Sequence, residues 1–136
     1  MGTSSAMSAR SLQYYVIARR WASDIEFSIT ETSFFYHLID EYLIRLCEPA
    51  YVKTFKRIMT SLSKLEIDRN KTDRVLADQL KHLELMAEDI IPEDIDSLSV
   101  RQVELENRMC SLVEEYRKVK SELFALVETI RRTKSN

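Results

Sequence analysis

The sequence predicts an all-α protein, an elongated antiparallel up-down-up three-helix bundle with coiled-coil-like packing. Three observations lead there. The 136 residues contain one glycine, Gly2, and two prolines, Pro49 and Pro92, which cut the chain into three nearly equal segments. Proline is excluded from helix interiors and glycine weakens them, so each segment is free to form one uninterrupted helix. Apolar residues recur with alternating spacings of four and three, the period of helices packed along a seam. The connections at the two prolines are short, which makes successive helices antiparallel neighbours.

Residues 1–9 are read as a disordered N-terminal segment and 10–133 as a single bundle domain. The first helix is expected over 11–46. Its seam runs Trp21, Ile25, Ser28, Thr32, Phe35, Ile39, Tyr42, Leu46, with a second stripe of Phe27, Phe34 and Leu38 alongside. At 100° per residue the apolar arc exceeds what one core-facing stripe needs. Ten of the twelve aromatic residues precede residue 56, so this helix is either the most enclosed or one that also contacts another chain.

The second helix is expected over 50–90. Val52, Phe55, Met59, Leu62 and Leu65 begin its apolar face, and Val75, Leu76, Leu80, Leu83, Met86 and Ile90 resume it. The polar run from Asp68 to Arg74 interrupts it. The heptad frame carries across as Leu62, Leu65, Arg69, Thr72, Leu76, which favours one continuous helix; a turn near Asn70, giving four helices, is the alternative. The third helix is expected over 93–132, with Pro92 in the first turn and Glu93, Asp94 and Asp96 near the positive end of the dipole. Ser99-Val100-Arg101-Gln102 offers a capping box for a later start. Its seam is the most regular: Leu98, Gln102, Leu105, Met109, Leu112, Tyr116, Val119, Leu123, Leu126, Ile130.

Two tight reversals fix which residues share a level. Around the first turn, facing positions sum to about 97, and around the second to about 184. Ser28, Thr32, Arg69, Thr72 and Tyr116 then form a candidate hydrogen-bonded polar layer, with Asp24 or Glu31 as the carboxylate for Arg69. Such layers fix register at a cost in stability. The alternative sends Arg69 out to solvent along its aliphatic stem. Gln102, level with His82 and the Tyr14–Tyr15 pair, marks either a second layer or a solvated edge.

The composition excludes several classes of function. Net charge is −2, and no segment departs from neutrality by more than two charges, so neither a nucleic acid nor a polybasic membrane surface is an expected partner. No apolar run approaches the ~18 residues of a membrane span. The first residues lack the apolar stretch of a secretory signal, which makes the cytoplasm the expected location. Phosphate loops and nucleophile elbows need glycines that are absent. No catalytic, cofactor-binding or metal-binding residue is assigned, and no cofactor is expected.

His37 with Glu41, and Asp78 with His82, are each four apart, but the layout separates the two histidines by ~30 Å. Cys47 and Cys110 are likewise placed ~30 Å apart, beyond disulfide reach, as two reduced thiols. The acidic stretch from Glu88 to Asp96 is read as a solvated helix start, with a basic partner or a cation as the alternative, although it lacks calcium-loop spacing.

The candidate interface is the aromatic stripe of Phe27, Phe34, Tyr36 and Leu38, since exposed apolar stripes mark interfaces; core packing is the competing explanation. The expected function is therefore a non-enzymatic interaction or scaffold protein, self-associating or binding a protein partner through helix 1. The alternative is a small-ligand or metal-binding bundle that uses the mid-bundle polar layer.

The stretches Trp21-Ala22-Ser23-Asp24-Ile25-Glu26-Phe27, Phe35 to Leu46, and His82 to Asp89 resemble uncharacterised bacterial helical, coiled-coil-like proteins. The resemblance implies a bacterial cytoplasmic helical protein and carries no activity and no functional residues.

Overall fold

The structure, a computed structural model, describes residues 7–133, and every regular element among them is helical. Four helices follow in order: α1 (Ala9–Glu41), α2 (Leu43–Leu46), α3 (Val52–Ala87) and α4 (Ile95–Arg132). None is long and apolar enough to cross a membrane. The all-α class holds, whereas the single first helix expected over 11–46 divides into α1 and α2.

The division lies at one residue. Tyr42 adopts φ −109° and ψ 14°, in the bridge region. Its N–H is shared between the carbonyls of Leu38 and Ile39, both at 3.2 Å, a three-centre bond typical of helix ends. Its own carbonyl still accepts from Leu46 at 2.9 Å, so α2 adds one more turn before Pro49. Arg45, in α2, bonds Glu48 through Nε at 3.1 Å and donates from Nη2 to the Thr133 carbonyl at 3.2 Å. That bond satisfies one of the carbonyls left over at the end of α4.

The helix starts follow capping chemistry. Ser8 and Ala9, assigned to the disordered segment by sequence, open α1: the Ser8 side chain accepts the Ser11 N–H at 3.1 Å and its carbonyl accepts from Leu12 at 3.0 Å. Residues 1–6 of that segment lie outside the described residues. Helix α4 begins two residues later than expected because Asp94 is its N-cap, accepting from the Ser97 N–H at 3.2 Å and the Ser97 hydroxyl at 2.8 Å. Pro92 therefore precedes the cap instead of entering the first turn, and Ser99 lies inside the helix.

Helix α3 is continuous through Asp68–Arg74, so the alternative break near Asn70 does not occur. It ends at Ala87 instead of 90. Asp89 has φ 59°, its N–H bonds Met86 at 3.0 Å, and the Ile90 N–H bonds Leu85 at 2.9 Å. This is a Schellman terminus with aspartate in the left-handed position usually given to glycine. Ile90, read as part of the apolar face, lies beyond that terminus and is exposed.

The chain, expected to form one domain over 10–133, falls into two compact units. The first draws on the chain up to Glu26 with Arg69–Cys110. The second draws on Phe27–Asp68 and the chain from Ser111 onward. In the first, Ala18, Ile25, Leu76, Leu83, Leu98 and Leu105 are buried, and Leu83, Met86 and Leu98 form a cluster against Tyr14, Tyr15, Ile91 and Ile95. In the second, Phe35, Ile39, Leu46, Ile58, Leu62, Leu65, Val119 and Leu123 are buried.

The α4 seam is correct throughout: nine of its ten residues are buried, and Tyr116 is half-buried. In α3 the buried positions run Phe55, Ile58, Leu62, Leu65, Arg69, Thr72, Leu76, Gln79, Leu83, Met86. Ile58 and Gln79 thus take the places expected of Met59 and Leu80, which sit half-buried to one side. A strict four-three frame fixes the buried edge of a helix more closely than hydrophobicity does.

Candidate functional site

Helix α1 buries one aromatic and exposes its neighbours. Phe35 is completely buried in the second unit, whereas Phe27 is 63 % exposed and Phe34 54 % exposed. Phe27 and Phe34 are seven residues apart and share a face, and Leu38, four further on, is half-buried beside them.

Helix α4 completes this face. Phe124 packs edge-on to Phe34, with centroids 6.4 Å apart, and edge-on to Phe35 at 6.1 Å. Tyr116 stacks on Phe35 at 5.5 Å. The Lys120 ammonium lies 5.9 Å from the Tyr116 ring centre and 5.7 Å from that of Phe124, within cation–π range of both. Phe34, Leu38, Phe124, Val127, Glu128 and Arg131 enclose an open groove of about 230 Å³. The sequence reading named the α1 half of this groove and missed the α4 half. The available signal was Phe124, one of only two aromatics after residue 56, next to seam residue Leu123.

Tyr36 does not belong to the groove. Two residues from Phe34 it is turned some 200° around the helix, and its hydroxyl donates to Glu66 of α3 at 2.5 Å. It holds α1 to α3 within the second unit.

The expected polar layer is distributed over both units. Ser28, Thr32 and Tyr116 belong to the second, and Arg69 and Thr72 to the first. Thr32 is buried and donates to the Ile29 carbonyl at 3.1 Å, while Ser28 is half-buried. Arg69 and Thr72 are buried, at 7 % and 2 % exposure, so Arg69 does not take the solvated alternative. Glu31, offered as a partner for Arg69, lies near the Tyr116 phenol without bonding its buried hydroxyl; Asp24 is exposed. Burial, and then that carboxylate, push the Tyr116 phenol well above its ordinary value.

Within the first unit a complete polar layer does form, around Gln102 and the unforeseen Gln79. Gln79 Nε2 donates to Gln102 Oε1 at 3.0 Å and to the Leu98 carbonyl at 3.1 Å. Its Oε1 accepts from Arg101 Nε at 2.8 Å, and Gln102 Nε2 donates to the Tyr14 carbonyl at 3.3 Å. Glutamine in a predominantly polar stretch carries no sign of burial by itself; its heptad position did.

Two carboxylates of the acidic stretch, Glu93 and Asp94, are committed to internal bonds. Glu93 accepts hydrogen bonds from the Ser11 and Ser8 hydroxyls, the latter at 2.5 Å, and these hold its carboxyl below the ordinary value of 4.5. It lies at the start of α1, where the helix dipole favours an anion. Asp94 is held low by its bonds from Ser97, and Asp89 sits at the α3 terminus. Next to them, Met7, Met86 and residues 89–93 line an open cleft of about 310 Å³.

His37 and His82 are exposed, and His82 Nδ1 lies 3.0 Å from the Asp78 carbonyl oxygen, not its carboxylate. Cys47 and Cys110 are exposed free thiols. Among the described residues, no three His, Cys, Asp or Glu side chains converge as metal ligands would. In comparisons with protein-family models, curated proteins and solved structures, nothing matches this chain.

Proposed function

We propose that this chain is a non-enzymatic helical interaction or scaffold protein whose aromatic face on α1 and α4 receives a helix of another polypeptide. In this reading α1, α3 and α4 are arranged up, down and up within each unit, as an antiparallel three-helix bundle with coiled-coil-like packing. The observation that carries the proposal is the contrast along one helix. Phe35 is fully buried, and Phe27 and Phe34 are more than half exposed beside a groove lined by Leu38, Phe124 and Val127. Three exposed phenylalanines on one face are costly to leave in water, at roughly 25 cal/mol per Å² of apolar surface. A helix laid along the groove, with anchors at i, i+3 or i+4 and i+7, would cover them.

The expected setting is the bacterial cytoplasm, with a protein as partner and neither nucleic acid nor membrane. The near-neutral charge balance supports the second point.

Paired variants test the proposal. Phe27→Asp and Phe34→Asp are expected to keep wild-type helicity by circular dichroism while losing association with the polypeptide that the wild-type chain binds. Loss of folding in both would return these residues to the core and reject the interface.

A further inference from the structure

We infer that the occupant of this face is a second copy of the same chain, paired about a two-fold axis that runs parallel to α1 and α4. The inference rests on the proposed interaction role and names its partner.

Charge complementarity selects this occupant. In the second unit α1 and α4 run in the same direction: Glu31 meets Tyr116, Phe35 lies between Tyr116 and Phe124, and Leu38 borders the groove with Arg131. The groove face of α1 reads Phe27, Glu31, Phe34, Leu38, Glu41, and that of α4 reads Arg117, Lys120, Phe124, Val127, Arg131. Both keep the four-three spacing of a packing seam. Between Arg20 and Arg45 the chain has no lysine or arginine but carries five carboxylates. From Arg117 to Arg132 it has five basic residues and two acidic ones. The apolar groove is therefore bounded by an acidic edge on α1 and, Glu128 apart, a basic edge on α4, where Glu128 is paired with Arg132.

A face divided in this way is complementary to itself. A two-fold axis along the helices sets α1 of one copy against α4 of the other and keeps the levels matched. Glu31 then meets the partner's Arg117 and Lys120, and Glu41 meets the partner's Arg131. The exposed Phe27, Phe34 and Phe124 close against their counterparts. The perpendicular two-fold would oppose α1 to α1, acid against acid, and is disfavoured by repulsion. The face is small, so association in the micromolar range is expected.

Sedimentation equilibrium of the full chain, with two single charge reversals, tests this pairing. Glu41 and Arg131 are both exposed, so Glu41→Arg and Arg131→Glu leave the core intact. The wild-type chain is expected to reach twice its monomer mass at about 100 µM. Each reversal alone is expected to weaken self-association by roughly tenfold or more, because like charges then face each other twice. An equimolar mixture of the two variants is expected to restore the dimer, since both contacts become acid against base.

A wild-type chain that stays monomeric at this concentration overturns the second-copy inference. If Phe34→Asp nevertheless abolishes binding of a different protein, the interaction role stands without it. A dimer insensitive to both reversals, or one that the mixture fails to restore, overturns the parallel two-fold.

Discussion

Gln79 and Gln102 face each other inside the first unit, amide nitrogen to amide oxygen at 3.0 Å, both buried. Each also holds a backbone carbonyl, of Leu98 and Tyr14 respectively, so the pair links α1, α3 and α4 within that unit. A buried amide pair of this kind specifies one alignment of the helices, because a slip of one heptad leaves both amides among apolar side chains.

Gln79→Ala should destabilise the chain by about 1–3 kcal/mol, since it strands the Gln102 oxygen and opens a cavity. Gln79→Leu combined with Gln102→Leu should be near neutral, and the double-mutant cycle should show strong coupling. Urea denaturation of wild type, Gln79→Leu, Gln102→Leu and the double variant measures this. Additive effects would show that the amide pair contributes nothing beyond its parts.

Asp89 pairs a favourable cap geometry with an unfavourable backbone region. Aspartate visits φ 59° more readily than most residues but less readily than glycine. Asp89→Gly is expected to stabilise by about 1 kcal/mol, and Asp89→Val to destabilise by at least as much. Thermal melts at neutral pH distinguish the two, and a melting temperature lowered by glycine would contradict the Schellman reading.

Glu93 ties the α3–α4 connection to the start of α1 and titrates below its ordinary 4.5 because of the Ser11 and Ser8 hydroxyls. A carboxylate with a depressed folded-state value contributes its stability above the unfolded value, and the contribution is lost as pH falls through the folded one. Stability should accordingly decline as pH drops below about 4.5. Glu93→Gln should be less stable than wild type at pH 7 and should converge with it in strong acid. Denaturant midpoints measured across that range decide it; parallel curves for the two proteins would remove Glu93 from the acid response.

Adjacent phenylalanines should behave as opposites. Phe35→Ala is expected to cost about 3–5 kcal/mol, because it empties a fully buried site under Tyr116 and Phe124. Phe34→Ala is expected to cost less than about 1 kcal/mol, most of it from the Phe124 edge contact. Equal losses by chemical denaturation would mean that Phe34 is a core residue.

The sequence by itself determined the all-α class, the continuity of α3 across its polar middle and nearly the whole buried edge of α4. These follow from local physics. Without interior glycine or proline nothing stops the helices, and the four-three spacing selects one face of each. It also marked Phe27, Phe34 and Leu38 as exceeding what one stripe can bury. Tertiary structure alone decided the rest. The side of α1 closed by α4 decides that Phe35 is core and Phe34 surface, and it brings Phe124 and Arg131 to the groove from some 90 residues away. Gln79 is buried because Leu98, Arg101 and Gln102 of α4 supply its hydrogen-bond partners, and Glu93 finds its own in Ser8 and Ser11 at the start of α1. Helical periodicity gives each residue an angle on its own axis; which angles are covered is fixed only when another helix arrives.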